Sequence, residues 1–324
     1  MLPPGRAANV LQAFEDKPLR FDAWDIDIYY QQKGRDVADL VESAVEESGP
    51  ERGVLRQVWR FEQSTITQRL TVYARTPRID FETGVDWQQS QVLLKAAFPV
   101  RVRSTRATYE IQFGSVERPT HWNTSWDWAR FETVAHKWAD LSEGGYGVSL
   151  LNDCKYGHDI KGDVMRLTLI KSAIAPDPQA DRGEHRFTYA LYPHAGDWYD
   201  GGTTAQGYRL NNPLAALRAR GGWGATGGAP GGERPDRFAF VDCTAPNVLV
   251  ETVKAAESGD GVVVRVYEYG NRRGPAALRF CRPLAAATEV NLLEEAPRAV
   301  RAEGDTLHFD VRPFEIKTFL VRLA

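Results

Sequence analysis

The chain has 324 residues, 43% of them hydrophobic and 26% charged, with a formal net charge of −3. This is the composition of a folded globular protein, long enough for one large domain or two. The near-neutral balance, with no block of like charge, excludes nucleic-acid binding and electrostatic docking on a membrane as its main role.

The N-terminal stretch MLPPGRAANVLQAFEDKP lacks the apolar core of a secretory leader, and no run of about 18 apolar residues occurs anywhere. Cys154, Cys243 and Cys281 stand far apart and in no CxxC spacing. That pattern predicts a reducing, cytoplasmic setting rather than a disulfide framework.

A strand around Val10–Phe14 begins almost at once, and most of the first 115 residues alternate. Ile66, Leu70, Val72 and Ala74 share one parity. Ile79, Phe81, Val85 and Trp87 oppose Arg78, Asp80, Glu82 and Asp86. Val92, Leu94, Ala96 and Phe98 repeat the pattern, as do Ala107, Tyr109, Ile111 and Phe113. Period two predicts strands with one buried face and one wet face, here in large antiparallel sheets. Tyr146–Asn152, Val164–Ser172 and His185–Tyr192 continue the series across polar, proline-rich connections. A short helix is predicted over Asn212–Arg220, with Asn211 or Asn212 as its cap and Pro213 in its first turn. The glycine-rich run 221–235 reads as a loop or linker, which sets a boundary near 235. Alternation then resumes at Val248–Val253, Val262–Tyr269, Ala276–Phe280, Leu307–Val311 and Ile316–Leu323. The predicted fold is all-β, with a large double-sheet sandwich over 1–235 and a small β-sandwich over 236–324.

The span His121–Trp198 concentrates the chemistry, with five of the six histidines and five of the nine tryptophans. A metal centre is the first candidate, from His121, Asp127, His136, His158, Asp159, His185 and His194. No two of these histidines stand at an HxH or HExxH spacing, so no metal site is assigned. No GxSxG elbow occurs, and Cys154 has no local base, so nucleophilic catalysis is not assigned either. Glycosidic acid/base chemistry needs two carboxyls about 5–5.5 Å or about 6.5–9.5 Å apart, and spacing alone cannot select them from 43 acidic residues. Acids do stand beside aromatics, at Trp24–Asp25, Trp126–Asp127, Trp138 with Asp140, and Asp197–Trp198. Such pairs suit carbohydrate, although core tryptophans and turn aspartates give the same pattern.

Longer motifs sharpen this reading. THWNTSWDWARFE (120–132), AHKWADLSEGGYGVSLLNDCKYG (135–157), PDPQADRGEHRFTYALYPHAGDW (176–198), YEYGNRRG (267–274), NLLEE (291–295) and PFEIKTF (313–319) resemble the C-terminal β-region of family 38 α-mannosidases of the bacterial and fungal cytosolic or vacuolar type. NVLQAFEDKPLRFDAWDIDIYY (9–30) fits the start of that region. The resemblance implies a galactose-mutarotase-like supersandwich followed by a smaller β-domain. It also implies that the catalytic zinc, its ligands and the aspartate nucleophile lie in an N-terminal domain with no counterpart here. No catalytic residue or metal ligand is therefore carried over, and no cofactor is expected in this chain. Trp24, Asp25, Lys155, Tyr156 and His158 are the residues the resemblance places toward a sugar pocket; packing against the catalytic domain is the rival role. The expected function is the scaffold and pocket-completing portion of a retaining α-mannosidase, inactive alone. Its expected partners are α-mannosides, the catalytic domain and further copies of itself. A standalone carbohydrate-binding module and a mutarotase-like epimerase using His158 or His194 are the alternatives. Bare apolar surface around the 121–160 loops is a further expectation.

Overall fold

The structure, a computed structural model, describes residues 2–217 and 237–324. The boundary predicted at 235 and the glycine-rich run fall outside the described residues. The chain divides into two compact units, Met1–Ile111 with Val116–Leu214, and Gln112–Ser115 with Ala215–Ala324.

Two antiparallel sheets build the first unit. Among the described residues, six strands run in the order Thr133–Val134, Gly157–Lys161, Val164–Lys171, Val92–Pro99, Val10–Glu15 and Gly34–Asp36. Nine more run Asp39–Ser48, Arg52–Phe61, Ser64–Tyr73, Ile79–Trp87, Gly183–Ala195, Tyr146–Asn152, Trp138–Glu143, Arg106–Ile111 and Gly114–Pro119. Leu94, Ala96, Phe98, Met165 and Leu167 of the smaller sheet pack on Ile66, Phe81, Val85, Leu150, Tyr189 and Leu191 of the larger one. The predicted parities therefore point into one core. Phe81 stacks on Tyr189 at 5.2 Å, and Phe98 meets both edge-on, an arrangement that aromatic quadrupoles favour. Polar side chains share the apolar parity too, among them Ser64, Gln68 and Thr83. Gln68, fully buried, donates to Tyr189 Oη (2.7 Å) and Thr83 Oγ1 (3.0 Å) and accepts from Asn9 Nδ2 (2.8 Å). Its hydrogen-bonding capacity is met, which makes its burial tolerable.

Three features differ from expectation. The strand Val92–Pro99 has no wet face, because Leu93 and Lys95 are as buried as Leu94 and Ala96. Loops cover its outer side. The helix is Thr203–Asn211, while 212–217 are not helical and 218–220 lie outside the described residues. Asn211 and Asn212 end this helix instead of starting one, since their side-chain amides donate to the carbonyls of Gly207 (2.9 Å) and Tyr208 (3.2 Å). Pro213 then cannot continue it. The register of Asp39–Ser48 on Arg52–Phe61 shifts between Leu40 and Glu42 and again between Val45 and Glu47. These two irregularities break the period, so no strict alternation announces the first strand of that hairpin.

On the outer face of the nine-stranded sheet, Trp138, Leu151, Ala190 and Tyr192 form a second cluster with Trp198 and Leu210. Beside it Asp140 and His194 pair at 2.8 Å, with Ser149 and Thr203 completing a buried polar group. In the second unit, four strands (Val241–Cys243, Gly274–Phe280, Thr306–Val311, Arg301–Glu303) form one sheet. Five more (Val248–Ala255, Val262–Glu268, Ile316–Leu323, Leu284–Val290, Arg298–Ala299) form the other. Val264, Val266, Leu278, Phe280, Leu307, Phe319 and Val321 fill its core.

Candidate functional site

The outer face of the six-stranded sheet holds the densest polar chemistry. Residues of alternate parity on adjacent strands meet there: Gln12, Lys95, Arg166, Thr168 and Asp159. Two loops close over them and supply Tyr30, from the 3₁₀ turn Ile28–Gln32, and Glu132. Phe14, Leu93, Ile26 and Phe131 seal the rim around Tyr30. Lys95 is wholly buried. Its Nζ donates to Glu132 Oε2 (2.6 Å), Asp159 Oδ2 (2.7 Å) and Tyr30 Oη (2.9 Å). Arg166 donates to the other oxygen of Asp159 (2.9 Å) and to Gln12 Oε1 (3.0 Å), and Thr168 bonds Glu132. Two cations thus face two carboxylates, and the cluster is neutral.

That arrangement decides its chemistry. Burial opposes the Lys95 charge, but Asp159 and Glu132 outweigh it and hold its pKa above the usual lysine value. Burial likewise opposes the Asp159 charge, and Lys95 and Arg166 overcome it to hold that carboxyl low. Neither group is poised to move a proton near neutral pH. The cluster locks two loops to a sheet.

Beside it, Tyr109, Arg118, Trp122, Asp127, Arg130, Phe131, His158 and Lys161 line a narrow cleft with room for about one water-sized group. The roof is the loop that carries the short helix Ser125–Ala129. Thr124 Oγ1 accepts from the Asp127 amide (3.2 Å), and the Asp127 carboxylate accepts from the Asn123 amide (3.1 Å). This local pairing of TSWD explains why so short a helix forms. Arg118 lies over the Tyr109 ring at 4.6 Å and Lys161 over the Trp122 ring.

The residues singled out from the sequence are placed as follows. Trp24 is 73% exposed, in a turn where the amides of Trp24 and Asp25 both bond the Phe21 carbonyl (2.8 and 2.9 Å). Lys155 lies over the Phe187 ring (4.6 Å), and exposed Tyr156 tilts against His136 (5.3 Å). His158 is fully buried; its Nδ1 is 3.2 Å from the Tyr156 carbonyl, and burial pushes its pKa down to about 4. The structure thus joins Tyr156 to His158. No hydrogen bond or ring contact among the described residues ties Trp24 or Asp25 to the other three. Trp126, Trp128, Val134 and Tyr156 leave much of their side chains in solvent, so the 121–160 loops are not uniformly polar. Sequence reasoning missed Lys95, Arg118, Glu132 and Arg166. Lys95 had a usable signal: a lone charge inside VLLKAAFPV must be paired if the whole run is buried.

Among the described residues, no group of three or more His, Cys, Asp or Glu side chains could hold a metal ion. Packing of its sulfur and the Asp153 carboxylate push the exposed Cys154 thiol up to about 11, far from a thiolate at neutral pH.

Residues 1–179 match the family model of the glycosyl hydrolases family 38 C-terminal domain. The chain belongs to this family. Residues 247–319 match a second family 38 component, the C-terminal beta sandwich domain. Alpha-mannosidase 2C1 from Homo sapiens is 39% identical over 328 residues, covering 98% of this chain and 30% of that protein. Alpha-mannosidase G from Dictyostelium discoideum is 37% identical over 326 residues, covering 97% of this chain and 29% of its own length. The chain therefore spans less than a third of these relatives. In fold, it is similar to the crystal structure of an alpha-mannosidase from Enterococcus faecalis V583. That similarity has a TM-score of 0.75 at 18% identity and covers 97% of this chain and 38% of the other.

Proposed function

We propose that this family 38 chain is the scaffold and pocket-completing β-portion of an α-mannosidase that hydrolyses terminal α-D-mannosides with retention. The observation that carries the proposal is collinear similarity: nearly the whole chain aligns with under a third of two curated α-mannosidases. Nucleophile, acid/base and zinc would reside in a catalytic domain outside these residues. The side chains described here do not fit a metal, because no three ligating groups converge. The buried Asp159 and partly buried Glu132 carboxylates are bound by Lys95 and are not free for glycosidic chemistry. In this reading the chain alone is inactive, works in the cytoplasm, and offers Trp24, Asp25, Lys155 and Tyr156 toward sugar or toward the catalytic domain. The three unpaired cysteines support the reducing compartment.

The test is an assay of the purified chain on an aryl α-mannoside with zinc or cobalt added. Turnover at background level is expected; metal-dependent hydrolysis well above it would overturn the proposed inactivity. A second reading, a standalone sugar-binding module, draws on the exposed Trp24, Trp126, Trp128 and Tyr156, and mannose binding by the chain alone would favour it. The epimerase alternative has less support, since His158 and His194 are both buried and each ring is already engaged, by the Tyr156 carbonyl and by Asp140.

A further inference from the structure

Several buried polar atoms have no partner among the described residues, and two of opposite sense belong to side chains lining the same cleft. They are Nε2 of His158 and Nη1 of Arg118. Unsatisfied buried groups are rare in folded proteins, and each calls for a cause. The sense of each atom follows from its neighbours. The Tyr156 carbonyl only accepts, so His158 Nδ1 carries the proton that joins them, and Nε2 is left with a bare lone pair. Arg118 Nη1 only donates. An anion would satisfy Arg118 but oppose the lone pair; a cation would do the reverse. Only a group that both donates and accepts meets both.

We infer that the cleft binds one hydroxyl, donating to His158 Nε2 and accepting from Arg118 Nη1. The size agrees, since the cleft takes about one water-sized group. Entry requires the roof to give slightly, because both orphaned atoms are shielded as the structure stands. The roof is suited to this: its helix Ser125–Ala129 buries no residue, and Trp126 stands in solvent. At the rim, Arg130, Lys161 and Asp127 offer further donors and acceptors, and Trp122 and Phe131 offer apolar faces. The hydroxyl comes either from an internal water or from a saccharide; the saccharide source rests on the mannosidase reading, and the water source does not.

Ring nitrogen spectra of the ¹⁵N-labelled full chain test this directly. The expected result is a His158 Nδ1–H tautomer whose Nε2 resonance is shifted upfield from the unbonded position, with that shift lost in Arg118→Gln and largely kept in Arg118→Lys. A saturable further change on titrating methyl α-D-mannoside assigns the hydroxyl to a saccharide. No change with mannoside, together with cross-relaxation to water, assigns it to an internal water. An unbonded Nε2 resonance in the parent chain, or an Nε2–H tautomer, overturns the site. A bonded Nε2 without any mannoside response would set aside the sugar while leaving the hydroxyl site intact.

Discussion

Replacing Lys95 with methionine keeps most of the side-chain volume but removes the cation that Asp159 and Glu132 share. Leaving buried charge uncompensated costs about 3–5 kcal/mol. The urea midpoint of Lys95→Met is expected to fall accordingly with an unchanged slope, and pairing it with Asp159→Asn is expected to recover part of the loss. The two buried histidines give opposite pH responses. His158 is held below its ordinary value of 6.5, at about 4, chiefly by burial. It therefore favours folding above pH 6.5 and withdraws that stability as pH falls toward 4, on the order of 3 kcal/mol in all. Burial works against the His194 charge, but Asp140 outweighs it and raises its pKa above 6.5. Its contribution is complete below 6.5 and is lost as pH rises through the higher folded value. Thermal melts across pH are expected to show a shallower acid arm in His158→Gln and a shallower alkaline arm in His194→Gln. Asp159, held below 3.8, acts at lower pH than this window.

At the scale of elements, two glycines hold the His194 ring in place. A Cβ on Gly201 would lie 2.4 Å from the imidazole, and one on Gly147 would lie 2.2 Å from Ser142 Oγ and 2.4 Å from the same ring. Gly201→Ala is expected to cost about 1–3 kcal/mol as the loop is pushed from the sheet, read as a lower denaturant midpoint. These contacts join segments distant in the chain, and no local pattern announces them. What was legible was periodic. Ile79–Trp87 follows its predicted alternation, with Phe81, Val85 and Trp87 buried and Glu82 and Asp86 exposed, because one of its faces is apolar and the other is largely charged. Val92–Pro99 defeated that rule, since its second face is covered by loops and its lysine is paired with acids from elsewhere. Arg118 carried no signal at all. An arginine near a strand end is ordinary, and only the third dimension sets it beside His158 in one cleft.

At the scale of the whole molecule, each unit has its own core. Phe319, fully buried in the second, packs on Phe309 at 4.8 Å. Phe319→Ala is expected to destabilise that core by about 3–5 kcal/mol, which hydrogen exchange would read as lost protection in 248–323. The outermost strand of the large sheet, Asp39–Ser48, is exposed along nearly its whole length, with Leu40, Val41 and Val45 in solvent. Such an edge is a template for pairing with any other extended chain. Glu42, Glu46 and Glu47 are ion-paired to Arg56, Arg69 and Arg52 of the neighbouring strands. Surface pairs of this kind add little to folding stability. Their greater effect is on recognition: a second extended chain pairing along this edge would have to desolvate or displace these ion pairs, which disfavours sheet-to-sheet association.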